Sequence, residues 1–148
     1  MTEPEVFADT YYWLGMLDRR DPYHEQVMGF SGRLRGRPII TSELVLIEFL
    51  DAVSGARFHL REGGVMLVES IRANPGITVM PLSQTTVTEA LKTYSRCPVK
   101  VGHNGLKRSL GWSLTDCASF QIINERGIRD ALTADHHFKQ AGFVPLFQ

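Results

Sequence analysis

The chain is short of cysteine, of net charge and of long apolar runs, and each shortage closes off a class of function. Two cysteines in 148 residues, Cys97 and Cys117, make neither a CxxC pair nor a metal-ligand spacing. They read as reduced thiols of a cytosolic protein, not as a disulfide framework. Sixteen basic residues face sixteen acidic ones. No overall positive field therefore marks a nucleic-acid binder, and any such site must come from local clustering. No stretch approaches the roughly 20 consecutive apolar residues that a membrane span requires. The opening MTEPEVFADT carries acids and no apolar run, unlike a secretory signal, so a cytoplasmic location is expected. Internal repeats and low-complexity tracts are missing too.

What is present suits one domain, 1–148, with a sizeable core, since 43% of the residues are hydrophobic. Short apolar runs at 6–8, 38–40, 77–80, 130–133 and 143–146 read as strands. Helical patterns fill the intervals: 11–17, 24–34, the segment SELVLIEFLDAVSG capped by Thr41 or Ser42 and closed by Gly55, 59–73, 83–94, a helix opening at Ser113, and a turn at 136–141. Within the third helix the stripe Leu44, Ile47, Leu50 has core spacing. Pro, Gly, Asn and basic residues dominate 96–111, which reads as a long loop. Strands alternating with helices indicate an α/β fold: a three-layer α/β/α sandwich on a parallel sheet of about five strands.

Such sheets bind ligands beyond the carboxyl ends of their strands, near the switch in strand order. Asp9 stands just past the first strand and Asp135 just past the strand at 130–133, so both belong to that edge. Ser113 to Asp116 reads S-x-x-D, which by itself is half of a capping box. Glu48 interrupts the apolar run LVLIEFL, where a carboxylate is at least partly buried. Burying it unpaired is costly, so it needs a basic partner, a raised pKa or a cation, unless that helix face reaches solvent. Four converging carboxylates without clustered His or Cys suit a hard ion, Mg²⁺ or Mn²⁺, over zinc. Acid clusters that hold such ions are a common device for hydrolysing phosphodiesters.

These residues bring a family into view. VFADT, TSELVLIEF, SLTDCASFQIINERGI and LTADHHFKQAGF resemble, in order and over nearly the whole chain, the PIN domain, and most of all the VapC-type toxin ribonucleases. The resemblance implies a Mg²⁺- or Mn²⁺-dependent endoribonuclease acting on RNA, an antitoxin protein as partner, and a homodimer. It makes Asp9, Glu48, Asp116 and Asp135 the metal-binding, catalytic acids. Thr10 and Thr133 match hydroxyl positions that place a ligand water or a phosphate. One departure stands out: many relatives have an acid before the Trp, whereas this chain has Gly111-Trp112, which removes a fifth, auxiliary carboxylate. A PIN-fold nuclease without an antitoxin, or a non-catalytic PIN-fold binding module, are the alternatives. An aspartyl-phosphate phosphatase would want an Asp where Tyr11 stands.

Charge is uneven along the chain. No acid falls between Ala90 and Thr115, where Lys92, Arg96, Lys100, Lys107 and Arg108 lie. With the VGHNG turn and Trp112 this reads either as a basic flap that attracts phosphates, with Trp112 stacking on a base, or as a solvated loop over a buried Trp. His136 and His137 beside Asp135 read as a surface pair at a helix start. Tyr11, Tyr12 and Trp13 read as packing aromatics. The helix at 60–71 offers a dimer face.

Overall fold

The computed structural model describes residues 2–55 and 58–147. Strand β1 (Val6–Ala8) is buried throughout and leads directly through Asp9 into α1 (Thr10–Leu17), followed by α2 (His24–Arg33). Next come β2 (Ile39–Ser42), α3 (Glu43–Ala52), α4 (Phe58–Ala73) and β3 (Ile77–Met80). Helix α5 (Gln84–Ser95) precedes a hairpin of β4 (Val99–Val101) and β5 (Lys107–Ser109). The chain closes with α6 (Leu114–Arg126), β6 (Asp130–Leu132), α7 (His136–Gln140) and β7 (Val144–Pro145).

Five of the strands form one sheet in the order β3-β2-β1-β6-β7, and every pairing is parallel. This is the expected three-layer α/β/α sandwich. Right-handed crossovers from β1 to β2 to β3 put α1–α4 on one face, and the return through β6 and β7 puts α5–α7 on the other. The chain reverses its direction across the sheet between β1 and β6. Pro145 is tolerated because β7 is the edge strand.

Several local expectations need correction. The stretch 96–111 is not one loop, for it contains the β4–β5 hairpin, closed by Gly102 and by Gly105 at φ 75°. All six strand residues are exposed, so no buried face existed to impose an alternating pattern. Helix α3 stops at Ala52, before Gly55, and Ser42 is its cap, accepting from the Val45 amide at 3.1 Å. Its core face is Val45, Leu46 and Phe49, while Ile47 is exposed. With seven apolar residues in ten, more than one stripe has helical spacing, and spacing alone does not choose the inward face.

Two glycines are required by geometry. Gly127 ends α6 in the left-handed region (φ 66°) and turns the chain towards β6. Gly15 lets α1 lie on α2, because a Cβ there would meet Val27 Cγ2 at 2.6 Å. Val27 is fully buried and has no room to yield. Overpacking of about 1–3 kcal/mol then exceeds the roughly 1 kcal/mol that alanine gains in a helix. Gly15→Ala is expected to lower stability by about 1 kcal/mol in urea unfolding; an increase would show that α2 slides aside freely.

Candidate active site

The chain's reversal between β1 and β6 lies at the carboxyl ends of those strands, where ligands bind in such sheets, and the acids collect there. Asp9 follows β1 immediately and is 4% exposed. Thr133, fully buried just past β6, donates from Oγ1 to Asp9 Oδ2 at 3.0 Å and accepts from the Asp135 amide at 3.0 Å. One hydroxyl thus links the two strand-end acids, through the side chain of Asp9 and the backbone of Asp135.

Asp116 sits in the first turn of α6 and is 6% exposed. The capping box is real: the Ser113 hydroxyl accepts from the Asp116 amide, and Asp116 Oδ2 accepts from the Ser113 amide, both at 3.0 Å. Capping and a site role are compatible, since the cap fixes the direction of the carboxylate. Glu48, half-buried on α3, accepts a short hydrogen bond from Thr10 Oγ1. Asp135 caps α7, its Oδ1 accepting from the His137 amide at 2.9 Å.

Electrostatics show that the acids sense one another. Burial pushes Asp9 up to about 7, and the charges of Glu48 and Asp116 add to that rise against the hydrogen bonds from Thr10 and Thr133. Burial also raises Glu48, with Asp116 and Asp135 contributing. Among the described residues no basic side chain pairs with Asp9 or Glu48. Uncompensated buried carboxylates are costly. A hard divalent cation is the group that this donor set fits.

Two residues set aside in the sequence belong here. His136 is indeed a surface residue, 73% exposed, but the side chain of His137 is only 17% exposed. Its Nδ1 lies 3.0 Å from Asp116 Oδ2 and 3.4 Å from Asp135 Oδ1. Tyr12 and Trp13 are buried packing residues as expected. Tyr11 instead stands half-open, edge-on to Tyr23 with ring centres 5.9 Å apart. Burial raises its phenol, followed by the charges of Asp135 and Asp9, which puts it at the rim of the cluster.

The basic residues are placed differently. Lys107 and Arg108 are exposed on β5, opposite Val101 and Lys100. They are not among the residues that bond the acids, but the hairpin runs through Leu110 and Gly111 directly into the Ser113 cap of α6. Trp112 is committed to packing: its Nε1–H donates to Gln140 Oε1 at 3.2 Å and its ring meets Phe120 edge-on at 4.9 Å.

No family model matches the sequence, and no curated protein matches it either. Solved structures do. The crystal structure of VapC20 from Mycobacterium tuberculosis, a toxin that cleaves the sarcin–ricin loop, superposes with a TM-score of 0.75 at 22% identity, covering 96% of this chain and 98% of that one. FitAcB from Neisseria gonorrhoeae matches with a TM-score of 0.59 at 13% identity, over 96% of both chains. VapBC2 from Rickettsia felis, bound to a DNA fragment from its promoter, matches at 0.56 and 13%, over 95% of both chains. The likeness is one of fold, and that fold is the PIN-like sandwich expected from the motifs.

Proposed function

We propose that the chain is a metal-dependent endoribonuclease, the toxin of a toxin–antitoxin pair. The observation that carries the reading is the meeting of Asp9, Glu48, Asp116 and Asp135 at the sheet's switch point, where no Lys or Arg among the described residues pairs with them. Those four side chains would hold Mg²⁺ or Mn²⁺. When bound, the ion supplies Lewis acidity that lowers the pKa of water and offsets charge on the leaving oxygen.

The remaining roles belong to the protein. Thr133 orients Asp9, Thr10 orients Glu48, and the Ser113 cap orients Asp116. The exposed β4–β5 hairpin, which precedes the Ser113 cap of α6 in sequence, carries Lys100, Lys107 and Arg108, whose charges would attract phosphates to an otherwise neutral molecule. RNA is the favoured substrate because VapC20, which shares the fold over nearly its whole length, is an RNA-loop-cleaving toxin. By the same likeness an antitoxin is the expected partner. A homodimer would use α4, where Val65 and Met66 are exposed. Among the described residues no helix is long and apolar enough to cross a membrane.

Incubation with a mixed RNA pool tests the reading: fragments ending in 5′-phosphate and 3′-hydroxyl should appear with Mn²⁺ and vanish with a chelator. No cleavage with any divalent ion would leave only a binding module. Replacing Lys107 and Arg108 together by Ala should weaken RNA binding and reduce the slope of log affinity against log salt by about 1.4, from two lost phosphate contacts on a single strand. An unchanged slope would remove the hairpin from the interface.

A further inference from the structure

We infer that His137 supplies a nitrogen ligand to the divalent ion held between Asp116 and Asp135, making the site a mixed nitrogen–oxygen one that favours Mn²⁺ over Mg²⁺. This rests on the metal-dependent reading above and adds to it a residue that the four-acid set lacks.

The geometry is specific. Asp135 caps α7 by accepting from the His137 amide at 2.9 Å, which fixes the backbone of that first turn. The turn places the imidazole against Asp116 of α6. There Nδ1 stands 3.0 Å from Asp116 Oδ2 and 3.4 Å from Asp135 Oδ1. Neighbouring ligands on an octahedral ion with bonds of about 2.1 Å lie roughly 3 Å apart. The imidazole nitrogen thus keeps edge-length distances to a carboxylate oxygen on either side. With a hydrogen on Nδ1 the ring would donate to these carboxylate oxygens. Exchange of that hydrogen for a cation needs little movement of the side chain.

His136 provides the contrast. Its ring packs against that of His137 at 4.4 Å, but its Nδ1 is 3.7 Å from Asp135 Oδ1 and the side chain is 73% exposed. It shares a cluster with Asp135 and His137, but its ion-pair contact is with Asp135, whereas His137 reaches Asp116 as well. Imidazole binds first-row transition ions far better than it binds magnesium, whereas carboxylates serve both. An all-oxygen site would distinguish the two ions weakly; one with His137 distinguishes them strongly.

The test is pulsed electron paramagnetic resonance on the Mn²⁺-loaded full chain. Nitrogen coupling to the manganese is expected, is converted to the ¹⁵N pattern by labelling with ¹⁵N-histidine, persists in His136→Gln and disappears in His137→Gln. Calorimetric titration of the same proteins should show the Mn²⁺/Mg²⁺ affinity ratio falling about tenfold in His137→Gln, through loss of one preferred donor. Manganese bound without a histidine coupling in the wild-type protein overturns the inference and leaves the nuclease reading standing. So does a coupling that survives His137→Gln, or equal losses of affinity for both ions, which would make His137 a positioning partner of Asp116 alone. Should His137→Gln not fold, the labelled wild-type spectrum together with His136→Gln still decides. Failure of the wild-type protein to bind manganese at all overturns this inference and the metal-dependent function together.

Discussion

Asp9→Asn is expected to abolish RNA cleavage and yet to make the metal-free protein more stable, by about 3–4 kcal/mol at pH 8 and only about 1–2 kcal/mol at pH 5. Asp9 is buried among other acids and its carboxyl is pushed up to about 7 from an ordinary 3.8. A raised carboxyl pKa means that the folded chain keeps its proton where the unfolded chain has lost it. Stability contributed by the protonated form is therefore full below about pH 4 and falls as pH rises, levelling off above about 7. Asparagine resembles the neutral form at every pH, so the gain of the variant over wild type widens through this window. Urea unfolding of both proteins at the two pH values measures it, and other titrations cancel in the difference. If the variant is no more stable at pH 8, Asp9 is not held as a desolvated acid. Retention of cleavage would take Asp9 out of the catalytic set.

Carboxylates buried together at one edge of a fold are a mark that sequence can reveal, and here it did so unevenly. Glu48 was legible because it breaks an apolar run, and burial of a lone carboxylate there demands a reason. Asp9 and Asp135 were legible because both follow short apolar strands, and parallel sheets put strand ends on one edge. Asp116 carried two readings; the structure shows the cap with Ser113, and the same carboxylate also meets His137, so the cap does not exclude a site role. His137 was not legible. Its place depends on how α7 begins, and the contact spans the 21 residues back to Asp116. No helical or strand period links those positions. The β4–β5 hairpin escaped for the opposite reason, being exposed on both faces, so burial imposed no pattern on its sequence. Helix α3 shows a third limit, because its many apolar residues offer more than one helical stripe: Leu44, Ile47 and Leu50 have core spacing, yet the packing buries Val45, Leu46 and Phe49.

Mn²⁺ at 100 times its dissociation constant is expected to raise stability by about 2.7 kcal/mol at pH 8, or roughly 5–10 °C in melting temperature for a chain of this size. At pH 6 the same concentration should give about 1.4 kcal/mol less, because the ion must first displace the proton on Asp9 and its apparent affinity falls about tenfold. The sign follows from burial: above pH 7 Asp9 is an ionised group with no cationic partner among the described residues. A bound cation removes that penalty, whereas below pH 7 the proton already does. Metal and pH thus act on the same carboxylate, and Asp9→Asn should remove both the metal gain and its dependence on pH. Thermal melts of the two proteins at pH 6 and 8, with and without Mn²⁺, separate the possibilities. Equal stabilisation at both pH values would mean that the ion binds elsewhere, away from Asp9. A gain that survives Asp9→Asn would mean the same. The absence of any gain in the wild-type protein would mean that the acids meet for a reason other than catalysis.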